Sequence, residues 1–406
     1  MFSKELLTLA GKAEQSLKKS FRRAEKAEFI NTSKILNAFH DMRVSDAMFA
    51  PSSGYGYGDA GRETLDKIYA KVLNAESAFV RHNIVSGTHA LTIALFGLLR
   101  PGDTMLSVTG KPYDTLDKVI GIEKADGSGS LADFGVKYMQ TELNEDFTAA
   151  ARDQSVKVVF IQRSKGYMDR RTLNVKEING LIKKIKEISS AFVVVDNCYG
   201  EFVEETEPAA DLLVGSLIKN PGGGIAESGG YIAGTARAVE LAGYRHTSPG
   251  IGAECGASLG QSKNMYKGLF LAPHTVTQAV KTAMFASYIF KQLGFEVEPE
   301  YDEIRGDIIQ TVRLLTADNL RAFCKGIQQA SPVDSFAVPE PWEMPGYGDK
   351  VIMAAGAFTQ GSSIELSADG PLRPPYTAFL QGGLTYESGK IGVLSAAQEI
   401  MKLRLQ

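Results

Sequence analysis

Lys219 is the residue around which chemistry can be organised in this chain. It stands in Ser216-Leu-Ile-Lys-Asn-Pro-Gly-Gly-Gly, between the apolar or rigid neighbours Leu217, Ile218 and Pro221. A lysine with little charged company has its amine pKa lowered and becomes a nucleophile toward carbonyls. The glycines that follow let backbone approach a bound group closely. Upstream, Phe192-Val193-Val194-Val195 is an unbroken apolar, mostly β-branched run that suits a strand buried on both faces. Asp196 closes that run, at the strand end where open α/β sheets place their ligands. Ser86-Gly87-Thr88 opens a helix and offers free N–H groups, two hydroxyls and the positive end of the helix dipole, which together make an anion site.

Each feature has a plain structural explanation: Asp196 and Ser86 as helix caps, Lys219 as a solvated surface group. Together they match one need, a phosphorylated carbonyl cofactor with a basic ring nitrogen. Pyridoxal phosphate asks for a Schiff-base lysine, an acidic partner for its ring nitrogen, a phosphate cradle and an aromatic stacking surface. Tyr113, just past the strand Thr104–Val108 in Gly110-Lys-Pro-Tyr113-Asp-Thr, is placed for the stacking role.

The elements that must position these residues alternate. Strands are expected at Ala78–Val80, Thr104–Val108, Val136–Met139, Val156–Ile161 and Phe192–Val195, and helices at Arg62–Leu73 and Val175–Ser189. Such alternation predicts an α/β chain with a mostly parallel, helix-covered sheet. Leu6, Leu9, Ala13, Leu17, Phe21 and Ala24 recur at helical spacing, and Asn31-Thr-Ser33 is expected to cap a second, short helix carrying Ile35, Leu36 and Phe39. A long helix is expected from Ser262 to Leu293. Beyond it, strands at Phe295–Pro299, Lys350–Ala354 and Ser363–Ser367 and helices at Asn319–Gln329 and Ser388–Leu403 make a smaller α+β unit, interrupted by a Pro-rich loop at residues 338–348. This divides the chain into an N-terminal helical and loop segment (1–62), a large cofactor-binding domain (63–293) and a small C-terminal domain (294–406).

Bulk properties exclude other classes. The net charge of −3, with both signs mixed, gives no basic footprint for nucleic acid. No apolar run approaches the ~18 residues of a membrane span. Three scattered cysteines make neither a disulfide framework nor a zinc site, no metal ligands are expected, and a cytoplasmic location follows. Ser53–Gly61 alternates glycine with Tyr55 and Tyr57, lacks a core-directed pattern, and is expected to project from its own domain.

The order strand-Asp-x-x-Tyr, Ser-x-x-Lys, Gly-rich strand resembles fold-type I pyridoxal phosphate enzymes. More closely, GYGYGDAGRETL, VRHNIVSGTHAL, GKPYDTL, IQRSKGYMDRR, VVVDNC, GSLIKNPGGG, GGYIAGT and DGPLRPPY are similar, in that order, to the Cys/Met-metabolism branch. That branch holds the cystathionine β-lyases and methionine γ-lyase, and the nearest likeness is to the cystathionine β-lyase-like proteins involved in aluminium resistance. The resemblance implies a seven-stranded, mostly parallel sheet and a carbon–sulfur lyase acting on cystathionine, methionine or cysteine. An aminotransferase, or a pyridoxal phosphate-binding stress protein with little turnover, is the alternative. It implies Lys219 as the Schiff-base lysine, Ser216 with Ser86-Gly87-Thr88 at the phosphate, Asp196 and its neighbour Asn197 at the ring nitrogen, and Tyr113 stacked on the ring. It also implies a homodimer with shared sites, open to pairing into a tetramer, with Tyr57 reaching the neighbouring subunit's phosphate. The arginine that follows this tyrosine in the lyases is Asp59 here, which leaves Arg62 as its substitute. The lyases' hydroxyl before the lysine is Ile218, and their C-terminal Arg-x-Ser-x-Gly pattern is missing. Arg373 and Tyr55 are the substrate-side candidates.

Overall fold

The computed structural model describes residues 2–344 and 348–404. Seven strands form the larger sheet: β1 (Ser77–Arg81), β2 (Thr104–Ser107), β3 (Lys137–Gln140), β4 (Val156–Gln162), β5 (Phe192–Asp196), β6 (Leu212–Ser216) and β7 (Gly230–Gly234). Their spatial order is β1-β7-β6-β5-β4-β2-β3, and β7 alone runs antiparallel to its neighbours. A second, antiparallel sheet holds β8 (Glu296–Glu298), β9 (Gln310–Arg313), β10 (Val351–Ala354), β11 (Ser367–Pro371) and β12 (Thr377–Gln381), in the order β10-β11-β12-β9-β8. The helices are α1 (Lys4–Asp41), α2 (Ala60–Val72), α3 (Gly87–Leu98), α4 (Asp117–Ile120), α5 (Thr148–Ala151), α6 (Val175–Ile188), α7 (Ala236–His246), α8 (Ser262–Gln292), α9 (Ala317–Gln329) and α10 (Tyr386–Leu403). The mostly parallel seven-stranded sheet and the smaller α+β unit are those expected. Among the described residues no helix is long and apolar enough to cross a membrane.

The central strands are covered on both faces, as their unbroken apolar runs require. Along β5, Val193 and Val195 join one hydrophobic cluster and Val194 the other; Val159 and Ile161 on β4 divide from Val158 and Phe160 in the same way. Only the strand ends are left for polar chemistry.

The helix boundary expected at Asn31 does not exist. α1 continues through it, and Ala10, Ala13, Leu17, Ala24, Ala27, Asn31, Ile35 and Ala38 form its buried stripe. The ion pair Glu25–Lys281 and a hydrogen bond between Glu28 and His274 (2.9 Å) fasten it along α8, and the ion pair Glu14–Lys390 fastens it to α10. Asn31 caps nothing. Its amide donates to the carbonyls of Phe202 (3.2 Å) and Glu204 (2.9 Å), while Ser33 Oγ bonds back to Phe29 O. A buried partner outcompetes the local capping geometry.

The strand expected at Ser363–Ser367 begins only at Ser367, because Glu365 folds the preceding segment back by accepting from the N–H groups of Phe358 (2.7 Å) and Thr359 (2.9 Å). Sequence periodicity also missed α7, β9 and β12. Within the Pro-rich 338–348 loop, Trp342 bridges to Val351, and residues 345–347 lie outside the described residues.

Asn31→Ala leaves two buried carbonyls without donors and should cost about 1–3 kcal/mol. Ser33→Ala on the exposed side should cost no more than about 0.5 kcal/mol. Urea midpoints at unchanged slope measure both; equal effects would return Asn31 to an ordinary surface role.

Candidate active site

Six strands of the larger sheet point the same way, so the loops that follow β1, β2, β4, β5 and β6 meet at one edge. They bring together Ser86–Thr88, Tyr113, Gln162–Lys165, Asp196–Tyr199 and Ser216–Lys219. This is the edge at which doubly wound sheets bind ligands, because strand ends leave backbone groups and helix N-termini free.

Ser86 is the N-cap of α3 and accepts from His89 N–H at 3.0 Å. Gly87 sits in a tight space: a Cβ there would lie 3.0 Å from Cys198 Sγ, 3.7 Å from Ser216 Cβ and 3.9 Å from Lys219 Nζ. The α3 N-terminus, Ser216 and Lys219 therefore share one small space. Ser216 is fully buried, and its Oγ has no hydrogen-bond partner. A buried hydroxyl without a partner, beside an open helix N-terminus, is the chemistry of an anion subsite. Thr88 Oγ1 is bonded to Thr115 Oγ1 at 2.7 Å, which ties the Tyr113 loop to this turn. Tyr113 is half-buried; Gln162 Oε1 accepts from its N–H at 2.7 Å, and a Cβ on Gly166 would come within 2.9 Å of its ring.

Asp196 is 8% exposed at the end of β5 and accepts from Cys198 N–H at 3.1 Å. Burial raises its pKa, against the field of Lys219. Lys219 Nζ lies 4.0 Å from the centroid of the Tyr199 ring. Tyr199 is held at φ +72°, a left-handed conformation costly for a residue with a Cβ and characteristic of functional sites. The expectation of a lowered lysine pKa is overturned. Burial opposes the ammonium, but Cys198, Tyr199 and Asp196 around it outweigh burial and raise the amine above its ordinary value. Neighbours from other strands supply the polar company that the flanking residues lack.

The glycines after Lys219 also differ from expectation. A Cβ on Gly222 would strike Leu217 O at 1.6 Å, and one on Gly223 (φ +57°) would meet Gly268 O of α8 at 2.4 Å. They let the lysine turn close on itself and on α8 rather than admit a bound group.

Asn197 is not at the site surface. Its side chain is spent behind Asp196, donating to Glu207 (3.0 Å) and Tyr231 Oη (3.2 Å) and accepting from Arg163 (2.8 Å). Arg62 is likewise turned inward: its guanidinium donates to the carbonyls of Gly56, Gly256 and Glu254 and so cannot replace an intersubunit phosphate arginine. It braces the loop that carries Tyr55 and Tyr57, whose rings stack at 5.5 Å and stand 74% and 63% exposed. Arg373 lies at the rim of a cleft of about 290 Å³ lined by Lys165, Tyr167, Arg313 and Phe379, half-exposed and paired with Asp349 at 2.5 Å. Tyr167 joins this cleft to Tyr113, ring to ring at 5.8 Å.

Tyr199, Cys198 and the buried acid Glu201 went unassigned in the sequence, although Tyr199 stands in the Asp-x-x-Tyr pattern. Glu201 is fully buried and accepts from Tyr231 Oη at 2.9 Å, while its carbonyl accepts from Asn220, the residue after Lys219. Burial, with Glu207 adding repulsion, pushes its carboxyl from 4.5 to about 8. Such a group keeps its proton in the folded state over a range where the unfolded chain releases it, so stability falls as pH rises from about 4.5 to about 8. Glu201→Gln should make that decline shallower by up to about 1.4 kcal/mol per pH unit. Urea unfolding at several pH values reads it, and parallel curves for the two proteins would mean that Glu201 is ionised throughout.

Known proteins share this chain's sequence pattern and fold. A profile described as methionine gamma-lyase matches residues 6–401. The uncharacterised protein YnbB of Bacillus subtilis is 51% identical over 385 residues, covering 92% of this chain and 91% of its own. A solved carbon-sulfur lyase involved in aluminum resistance from Clostridium novyi NT superposes with a TM-score of 0.94 at 50% identity, over 98% of this chain and 96% of that one. The fold extends to the pyridoxal-5'-phosphate dependent protein YhfS of Escherichia coli, at a TM-score of 0.62 and 13% identity over 93% and 96% of the two chains.

Proposed function

Because the chain belongs to the methionine gamma-lyase family, we propose that it is a pyridoxal phosphate-dependent carbon–sulfur lyase acting on a sulfur-containing amino acid. The observation that carries this reading is the orphaned Ser216 Oγ beside Gly87 and Lys219, with Asp196 on the adjoining strand. The residues present fit the cofactor: Ser86–Thr88 and Ser216 would hold its phosphate, Asp196 its ring nitrogen, Lys219 its carbonyl carbon and Tyr113 its ring face. Pyridoxal phosphate, when bound, supplies a carbonyl that condenses with amines and a ring that takes up the electrons released at the substrate α-carbon.

The protein's own part is proton handling and orientation. Lys219 Nζ, once deprotonated, removes the α-proton and can return it, and its position over Tyr199 fixes the face from which it acts. Asp196, held by Cys198 N–H, would favour a positive charge on the cofactor's ring nitrogen. Tyr113 carries a hydroxyl that can protonate the departing sulfur. Loss of that thiol leaves an unsaturated amino acid, which one water hydrolyses to an oxo-acid and ammonia.

The protein loaded with pyridoxal phosphate should be yellow, and borohydride reduction with peptide mapping should place the pyridoxyl label on Lys219; a label on Lys165 or Lys263 would sink the assignment. Screening cystathionine, methionine, cysteine and homocysteine should release thiol and ammonia from at least one, while a strict need for an amino acceptor would mean transamination. Asp196→Asn should keep the cofactor but slow α-deuterium exchange by at least about a hundredfold; wild-type exchange would leave Asp196 a structural cap.

Active sites shared across a two-fold dimer form part of the same proposal, and the exposed, braced Tyr55–Tyr57 loop supports this reading. With Tyr57→Phe and Lys219→Ala each inactive when pure, isolated mixed dimers would hold one site with both defects and one with neither. They should regain up to about half of normal activity by that symmetry. No recovery would place Tyr57 in its own subunit's site.

A further inference from the structure

The small sheet brings to the Lys219 site a carboxylate that the reading above does not use. Asp369 on β11 is 7% exposed, and its Oδ1 has no hydrogen-bond partner. Strand register sets it opposite Phe379 on β12 and Met353 on β10. The Phe379 ring packs 4.8 Å from that of Tyr167, so this face of the small sheet meets the wall of the site. The next residue, Gly370, is turned the other way, against Leu320 of α9. The groups facing Asp369 come from five segments. The side chains of Tyr167, Gln381 and Lys219 favour its charge, and it opposes ionisation of Tyr199 and Cys324.

The cation in that set is Lys219, whose ammonium lies over the Tyr199 ring. In the free protein it supplies the positive charge that a buried carboxylate and a ring face require. As the neutral amine that removes an α-proton, it no longer does. A buried carboxylate left without a counter-charge is costly, and a ligand that restores the charge is favoured over an isostere that cannot.

We propose that Asp369 is a specificity-determining residue that pairs, through Oδ1, with a second ammonium group on the substrate's side chain. The inference deepens the lyase reading and rests on it: the preferred substrate is a sulfur amino acid whose leaving thiol carries an amine. Burial raises the Asp369 carboxyl to about 7. The preference therefore strengthens as pH rises through about 7, where the carboxylate forms while an alkyl ammonium (ordinary pKa about 10) is still charged.

The test compares S-(2-aminoethyl)-L-cysteine with its near-isostere S-propyl-L-cysteine on protein loaded with pyridoxal phosphate. Two readouts are taken: kcat/KM for thiol release, and Kd from the change in cofactor absorbance on binding. At about pH 8 the amino compound should lead by at least about tenfold in both. That ratio should fall toward one in Asp369→Asn and stay above one in Asp369→Glu. A wild-type ratio of one or below overturns the assignment, as does an unchanged ratio in Asp369→Asn. If the variants do not fold, wild-type protein decides between about pH 6 and pH 8, where a flat ratio overturns the proposal. If neither compound yields thiol and none of cystathionine, methionine, cysteine and homocysteine does either, the lyase reading fails, while the two Kd values still decide the role of Asp369.

Discussion

A sheet covered on both faces can offer polar chemistry only at its ends. That constraint governs this protein. Past the exposed Lys157 near the start of β4, the apolar runs of β4, β5 and β6 leave no polar side chain along their length until Gln162, Asp196 and Ser216 close them. Because these strands are parallel, all three closings fall on one edge, beside the N-terminus of α3. The cluster of an amine, a carboxylate and an unpaired hydroxyl therefore follows from burial, and its chemistry is concentrated because it has nowhere else to go.

Behind that edge lies a buried polar layer. Arg163, fully buried, pairs with Glu204 and Glu207 and donates to Asn197; Asn197 reaches Tyr231, and Tyr231 reaches Glu201. Glu201 in turn holds Asn220. The residue after Asp196 and the residue after Lys219 are thus fixed by one connected network. A network of this kind rigidifies only if satisfied, because a stranded polar group in low dielectric costs more than the bond it replaces. The raised Glu201 carboxyl is a consequence, since a neutral acid is cheaper there than a third carboxylate near Glu204 and Glu207.

The Tyr55–Tyr57 loop obeys a different rule. Ser52 bonds to both Asp59 and Ser258 around its base, and Arg62 clamps three carbonyls beneath it. Gly56 passes so close to Ala257 that a Cβ would sit at 2.8 Å. The backbone is rigidly supported while both aromatic rings are left outside, an arrangement that presents side chains outward at little ordering cost.

The sequence by itself determined the layered α/β architecture, the strand–helix alternation, and the residues that end strands with chemistry: Lys219, Asp196, Ser216, Ser86–Thr88 and Tyr113. These were legible because burial on both faces and helix N-termini leave local signatures in residue type and spacing. Only the tertiary structure decided what surrounds them. Lys219 lacks charged neighbours along the chain yet gains Asp196, Cys198 and Tyr199 from another strand, which reverses the expected direction of its pKa. Asn31 reads as a cap but serves as a buried donor to a distant loop; Arg62 reads as a ligand group but is spent on carbonyls; Asn197 faces away from the site its neighbour serves. Asp369 has no role assigned within DGPLRPPY, and only β-sheet register sets it beside Phe379 and the Tyr167 wall. Local sequence fixes which groups a segment can offer, whereas the direction a side chain takes depends on partners that approach from elsewhere in the chain.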